Sequence, residues 1–234
     1  MDNTQAEWLQ NTYRAKPGSD LSVTDLCRPT YQLWVKLNLP DTFTPSPYVG
    51  FKSYLGSALH QFIENIDEDS TIKEFTHLRK HGDTVIGGTT DELRWNKDTN
   101  KWRIGDIKLK GAYPSKKFLG IGTKTNPNPP KEQDKEILQQ SIYRWLFQGM
   151  FDIQDEGVIY LFTAGHSARE QFPEMQTVPL KLMSIEATDK YIQNKLLAVQ
   201  TEPEVDCETS WLCGYCDYKD YCPAQNTTGF SDES

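Results

Sequence analysis

Trp102-Arg103-Ile104-Gly105-Asp106-Ile107-Lys108-Leu109-Lys110 is the stretch on which the fold turns. Trp102 and Ile104 are apolar at period 2, which reads as a β-strand. Asp106 and Lys108 continue that alternation and share the face of Trp102 and Ile104. A carboxylate and an ammonium two residues apart on one strand face pair a hard-cation ligand with a group that meets phosphate or bound water. Such triplets also occur on solvated strand faces, so the neighbouring elements decide how this one is read.

Upstream, residues 84–93 form a second strand with a Gly87-Gly88 pair that admits a close approach. A polar turn at 96–101 joins the two strands into an antiparallel hairpin and brings Asp91 near Asp106. A further strand, with a turn, is expected over 70–81. Residues 51–66 form an amphipathic helix with Leu55, Leu59, Phe62 and Ile66 at helical spacing. Gly56, His60 and Glu64 make a second row beside that stripe. His60 by itself reads equally as a helix histidine with an ordinary hydrogen bond.

Downstream, 111–131 carries no periodic signal and reads as a long loop. Its four lysines, Lys116, Lys117, Lys124 and Lys131, are accompanied by no acid. Lys116, Lys117 and Lys124 are candidates for contact with a polyanion, or a mobile solvated surface. Residues 132–150 are helical, with Ile137, Leu138, Ile142, Trp145 and Leu146 toward the core and Gln139 and Tyr143 neighbours at i and i+4. Strands follow at 157–164 and 177–183, then a helix over 187–200 with Thr188 as its candidate cap. Near the start, Ser22 reads as a helix cap with Asp25 three residues on, and Pro29 opens a second helix.

The chain has 234 residues, 37% hydrophobic and 25% charged, with a net charge of −8. This composition suits one globular soluble protein, and an acidic chain must confine any nucleic-acid site to a local basic patch or bound metal. No apolar run approaches a membrane span of roughly 18 residues, and the first twenty lack a signal-peptide pattern, so an intracellular protein without membrane contact is expected. The five cysteines are Cys27, Cys207, Cys213, Cys216 and Cys222. An odd count with four clustered late argues for metal or cluster binding. A local zinc knuckle of Cys207, Cys213, Cys216 and Cys222 satisfies the spacing as well.

The motifs run in order: Gly56-x-x-x-His60 on a helix, Gly88-x-x-Asp91 on a strand, Asp106-x-Lys108 on the next strand, and Gln139-x-x-x-Tyr143 on a helix. From about residue 22 to residue 222 this order resembles the RecB-type nuclease family of the PD-(D/E)XK superfamily. Cys213-x-x-Cys216, Cys222 followed by Pro223, and Cys27 in Leu-Cys-Arg-Pro resemble its iron–sulfur subset. That subset includes CRISPR-associated iron–sulfur exonucleases and AddAB-type nuclease domains.

The resemblance implies an α/β fold: a mixed central sheet flanked by helices, capped by a helical iron–sulfur segment made from both chain ends. It divides the chain into 1–50, a nuclease core at 51–200 and a cluster-binding segment at 201–234, together one compact unit. His60, Asp91, Asp106 and the Ile107 carbonyl would hold Mg²⁺ or Mn²⁺. Lys108 would orient or help deprotonate the attacking water, and Gln139 and Tyr143 would position the DNA backbone or Lys108. Cys27, Cys213, Cys216 and Cys222 would hold a [4Fe–4S] cluster, leaving Cys207 spare. Asp106 stands where many relatives carry Glu.

The activity implied is metal-dependent DNA cleavage, exonucleolytic on single strands or ends, with a protein partner possible in recombination or CRISPR adaptation. The competing readings are an endonuclease or trimming nuclease, a catalytically silent DNA-binding scaffold, and a zinc-stabilised interaction module.

Overall fold

The computed structural model describes residues 17–38, 58, 70–122, 125–166, 172–206, 216 and 218–223. Two compact units divide the chain: residues 15–23 with 53–189, and residues 1–14 with 24–52 and 190–234. The helix expected over 51–66, with His60, lies outside the described residues except for Ala58. Lys124, Cys207 and Cys213 lie outside them too.

The first unit is built on a mixed sheet of six strands: β1 (Leu21–Ser22), β2 (Thr71–His81), β3 (Thr84–Asn96), β4 (Lys101–Gly111), β5 (Glu156–Ala164) and β6 (Met175–Lys181). Their order is β1-β3-β4-β5-β6, with β2 also paired to β3. β3 lies antiparallel to β2 and β4, β4 lies parallel to β5, and β5 lies antiparallel to β6. The hairpin expected around 96–101 is present, with Glu92 opposite Gly105 and Asn96 opposite Lys101. Its turn is closed by Asn96, whose side-chain oxygen accepts the Asp98 amide at 3.0 Å. In place of the expected turn, β2 is a single strand whose ladder with β3 is interrupted once, at Glu74.

A parallel β4–β5 pair needs a crossover connection, and this one contains two helices, α3 (Ala112–Leu119) and α4 (Asp134–Leu146). The first of these corrects the expected loop at 111–131. Pro114 reads as a loop marker, but in a first turn its missing N–H is one that no helix partner would have met. The helix stops at Gly120, which adopts a left-handed φ of +69°. Gly120 N–H donates to Lys117 O at 3.1 Å and Ile121 N–H to Lys116 O at 2.8 Å, the paired bonds of a Schellman motif.

Phe118, from α3, joins Ile159, Leu161, Val178, Leu180 and Leu182 in a buried cluster, with Leu119 and Ile137 packed on it. The β4–β5 register sets Asp106 beside Ile159 and Lys108 beside Leu161, so the helices cover the sheet face that carries Asp106. At the other end of α4, Phe147 packs edge-on to Phe75, and Trp102 to Trp95 and Phe151. Trp145 is buried and donates its indole N–H to Asp189 at 2.8 Å.

Helix α5 spans Ile185–Ala198. Its start is capped by Ser184 in place of the expected Thr188: the Ser184 hydroxyl accepts the Ala187 amide at 3.1 Å, and Thr188 donates back to Ser184 O. The expectation failed because two hydroxyl residues lie four apart, and sequence alone does not say which one has already left the helix.

In the second unit, Pro29 precedes helix α2 (Thr30–Leu37), as expected. Proline offers no capping side chain, and Asp206 supplies one from far along the chain, accepting the Thr30 amide at 2.6 Å and the Tyr31 amide at 3.0 Å. The short helix α1 (Val23–Leu26) precedes it. Asp25, expected in a capping box with Ser22, instead pairs with Lys36 and with Arg28. Tyr31, Val35 and Tyr218 form a small buried cluster.

Candidate active site

Asp91 and Asp106 meet where β3 and β4 part. Their ladder ends at Glu92 and Gly105, one pair before Asp91 would face Asp106. Across the opening, Asp91 Oδ2 accepts the Ile107 amide at 2.7 Å. In an extended strand the N–H and C=O of one residue point to the same side, so the Ile107 carbonyl also faces this opening.

Asp106 is buried, at 3% exposure. Lys108 Nζ donates to its Oδ1 at 3.0 Å. Oδ2 lies 2.9 Å from the same ammonium but is poorly aligned with it, and has no hydrogen-bond partner among the described residues. A buried carboxylate oxygen without a partner is costly, and Asp91 and the Ile107 backbone lie at the same opening. That donor set suits a hard divalent cation. Among the described residues no three His, Cys, Asp or Glu side chains gather into a metal-holding group. The pair Asp91 and Asp106 is what they contribute.

Burial alone would lower the Lys108 pKa. The Asp106 carboxylate, with Asp91 and Glu136 behind it, outweighs burial and raises it. The amine is therefore held as an ammonium. Glu136 had no sequence signal, since an acid in the first turn of a helix reads as a partner for the helix dipole. It is buried, and Lys110, next on the same face of β4, donates to it at 2.7 Å. Three acids, Asp91, Asp106 and Glu136, thus surround two amines, Lys108 and Lys110, on this face.

Helix α4 covers the site. Tyr143 is buried and stacks on Phe147 at 5.9 Å between ring centroids. It lies against Gly88, where an added Cβ would come within 2.8 Å of the ring and 2.6 Å of Val23. The close approach expected of the Gly87-Gly88 pair is thus the contact of β3 with this helix. Gln139 is half-buried on α4. Its neighbour Gln140 is the fully buried one, donating to Val158 O at 2.8 Å. Lys117, on the exposed end of α3, pairs with Glu132 at 2.9 Å and reaches over the Tyr113 ring. Lys116 is half-buried in the same turn.

Residues 8–223 match the PD-(D/E)XK nuclease superfamily. The chain belongs to that superfamily. No curated protein matches it in sequence. Among solved structures, SSO0001 shares 18% identity with a TM-score of 0.56, over 95% of this chain and 93% of that one. This likeness shows the fold. A protein of Eubacterium rectale named "Putative exonuclease" is 12% identical with a TM-score of 0.47, over 99% of each chain. A PD-(D/E)XK core is the mixed sheet with flanking helices described above, and nucleases of this superfamily generally use Mg²⁺ or Mn²⁺.

Three of the four cysteines expected to hold a cluster are described, and all three are half-buried in the second unit. Cys27 stands between α1 and α2. Cys216 and Cys222 pack against the cluster of Tyr31, Val35 and Tyr218, and Gln32 Nε2 lies 4.0 Å from the Cys216 sulfur. Among the described residues no helix is long and apolar enough to cross a membrane.

Proposed function

We propose that this chain is a divalent-metal-dependent deoxyribonuclease of the RecB type, an exonuclease on single-stranded DNA or DNA ends. The observation that carries the reading is Asp106 Oδ2, buried with no hydrogen bond from the described residues, at the opening where Asp91 accepts the Ile107 amide. Asp91, Asp106, the Ile107 carbonyl and His60 would hold Mg²⁺ or Mn²⁺. Such an ion, when bound, polarises a phosphodiester and lowers the pKa of water. Lys108 is kept protonated by its carboxylate neighbours, so it serves as a cation and donor to a phosphate oxygen or to the attacking water. Glu136 holds Lys110 and adds to the field that keeps Lys108 charged.

Tyr143 and Gln139 fix the position of α4 over the site and reach the scissile strand. Lys116, Lys117 and Lys124 contact the phosphates of the incoming strand. The exposed partner of Lys117, Glu132, is one that a phosphate can displace, since ion pairs in water hold weakly.

The cysteine spacing, with Cys216 and Cys222 packed against a cluster that includes Tyr31 and Val35 of the helix after Cys27, supports a [4Fe–4S] cluster on Cys27, Cys213, Cys216 and Cys222. Its role is to fasten the late segment to α2.

The test is cleavage of end-labelled linear single-stranded DNA beside a closed single-stranded circle, with Mn²⁺, on anaerobically purified protein. Loss of the linear strand alone is expected. Cutting of the circle moves the assignment to an endonuclease, and survival of both overturns it. Asp106→Ala and Lys108→Ala should each lower the cleavage rate by about 100-fold or more, the scale of a lost charge-stabilising group, with DNA binding retained.

A further inference from the structure

Strand β2 holds one antiparallel register against β3 from Thr71 opposite Arg94 to His81 opposite Thr84. Lys73 pairs with Glu92 and Phe75 with Thr90, but the pair between them, Glu74 with Asp91, is missing from the ladder. Glu74 has a left-handed φ of +50°. The other described non-glycine residues with positive φ, Ser70 and Asn100, sit in turns; Glu74 is inside a strand. Such a conformation is uncommon for any residue but glycine and, less so, asparagine.

The interruption coincides with the end of the β3–β4 ladder on the other side of Asp91. In a strand paired on both sides, side chains stand normal to the sheet. A carboxylate so placed cannot come down to a neighbouring strand's amide. The Asp91 carboxylate does reach one, the Ile107 N–H at 2.7 Å. A local break that bends the strand allows this, as bulges re-aim side chains beside active sites.

We propose that Glu74 is a positioning residue whose left-handed backbone, not its carboxylate, releases Asp91 from the β2–β3 ladder and seats the Asp91 carboxylate on the Ile107 amide beside Asp106. The seating is a property of the chain itself; only its catalytic consequence rests on the function proposed above.

The test compares Glu74→Gly and Glu74→Asn, which accept the left-handed conformation, with Glu74→Val, which resists it. Hydrogen exchange of the Ile107 amide is read by NMR on the full chain without metal, with the Leu161 amide of β5 as control. Glu74→Gly and Glu74→Asn should keep Ile107 as protected as in the parent. Glu74→Val should speed its exchange at least about 10-fold with Leu161 unchanged, the mark of a local opening. The Mn²⁺ concentration for half-saturation should rise by a similar factor in the valine variant alone.

Unchanged Ile107 protection in Glu74→Val overturns the proposal. So does equal loss in the glycine and asparagine variants, which would assign the effect to the carboxylate. Should Glu74→Val fail to fold, Glu74→Gly decides: it must keep Ile107 protected and raise the unfolding midpoint, and loss of either overturns the proposal. A parent that shows this exchange pattern and cleaves no DNA would sink the nuclease assignment and leave the positioning intact.

Discussion

Glu92 and Asp91 are adjacent, yet their carboxylates face opposite sides of the sheet and meet opposite fates. Asp91 accepts the Ile107 amide of β4 beside the open site. Glu92 is buried and fully engaged: Arg94 donates to both its oxygens at 3.0 and 3.1 Å, and the Tyr160 hydroxyl donates to Oε1 at 2.8 Å. Burial, and then the Glu92 charge, push the Tyr160 phenol up to about 12. A phenol whose folded pKa is raised stabilises the fold below its unfolded value of about 10, and loses that contribution as pH climbs through about 12. Tyr160→Phe should therefore cost about 1–3 kcal/mol at neutral pH, the value of a hydrogen bond to a charged group. The deficit should narrow between about pH 10 and pH 12, read by urea unfolding of both proteins across that range. A constant deficit would mean that the phenol is not held neutral by this carboxylate.

Among elements, α2 shows how an end left open by the local sequence is closed from elsewhere. Pro29 suits the entry to a helix but cannot accept the first amides. Asp206 accepts them, and although burial opposes its charge, the Tyr31 and Thr30 amides with Lys195 nearby hold its pKa below the ordinary carboxylate range. Asp206→Ala should lower stability by about 0.5–2 kcal/mol, the range for a lost N-cap. Asp206→Asn, which also caps, should recover most of it, and thermal unfolding of the two variants separates a cap from a bulk charge effect. Helix α3 shows the reverse case. Its ending was written in Lys116, Lys117 and Gly120, but Pro114 and the absence of a periodic apolar face hid the helix, since a two-turn helix held by the adjacent residues Phe118 and Leu119 shows no repeat.

Over the whole chain, the cysteines bear on how the second unit is fastened. A cluster held by one early and three late cysteines closes a loop of nearly the full sequence, a constraint whose entropic effect grows slowly with loop length. Anaerobically purified protein should contain iron and acid-labile sulfide in about equal amounts, and Cys216→Ser should lose both and lower the unfolding midpoint. Zinc without iron would favour the local four-cysteine knuckle. Most of the sheet and α4 were legible in the chain because apolar runs and helical spacing report burial: β4 and β5 are buried over consecutive residues, and α4 buries Ile142, Trp145 and Leu146. The sequence by itself determined those elements and the order of the residues Asp91, Asp106 and Lys108, whose spacing is a matter of local geometry. Only the tertiary structure decided that Asp106 Oδ2 is buried with no hydrogen bond from the described residues, that Glu136 stands close enough to help hold Lys108 charged, that Glu74 breaks the ladder opposite Asp91, and that Asp206 caps a helix 176 residues away. Each of those depends on which distant strand or segment is a neighbour, and a one-dimensional pattern does not carry that information.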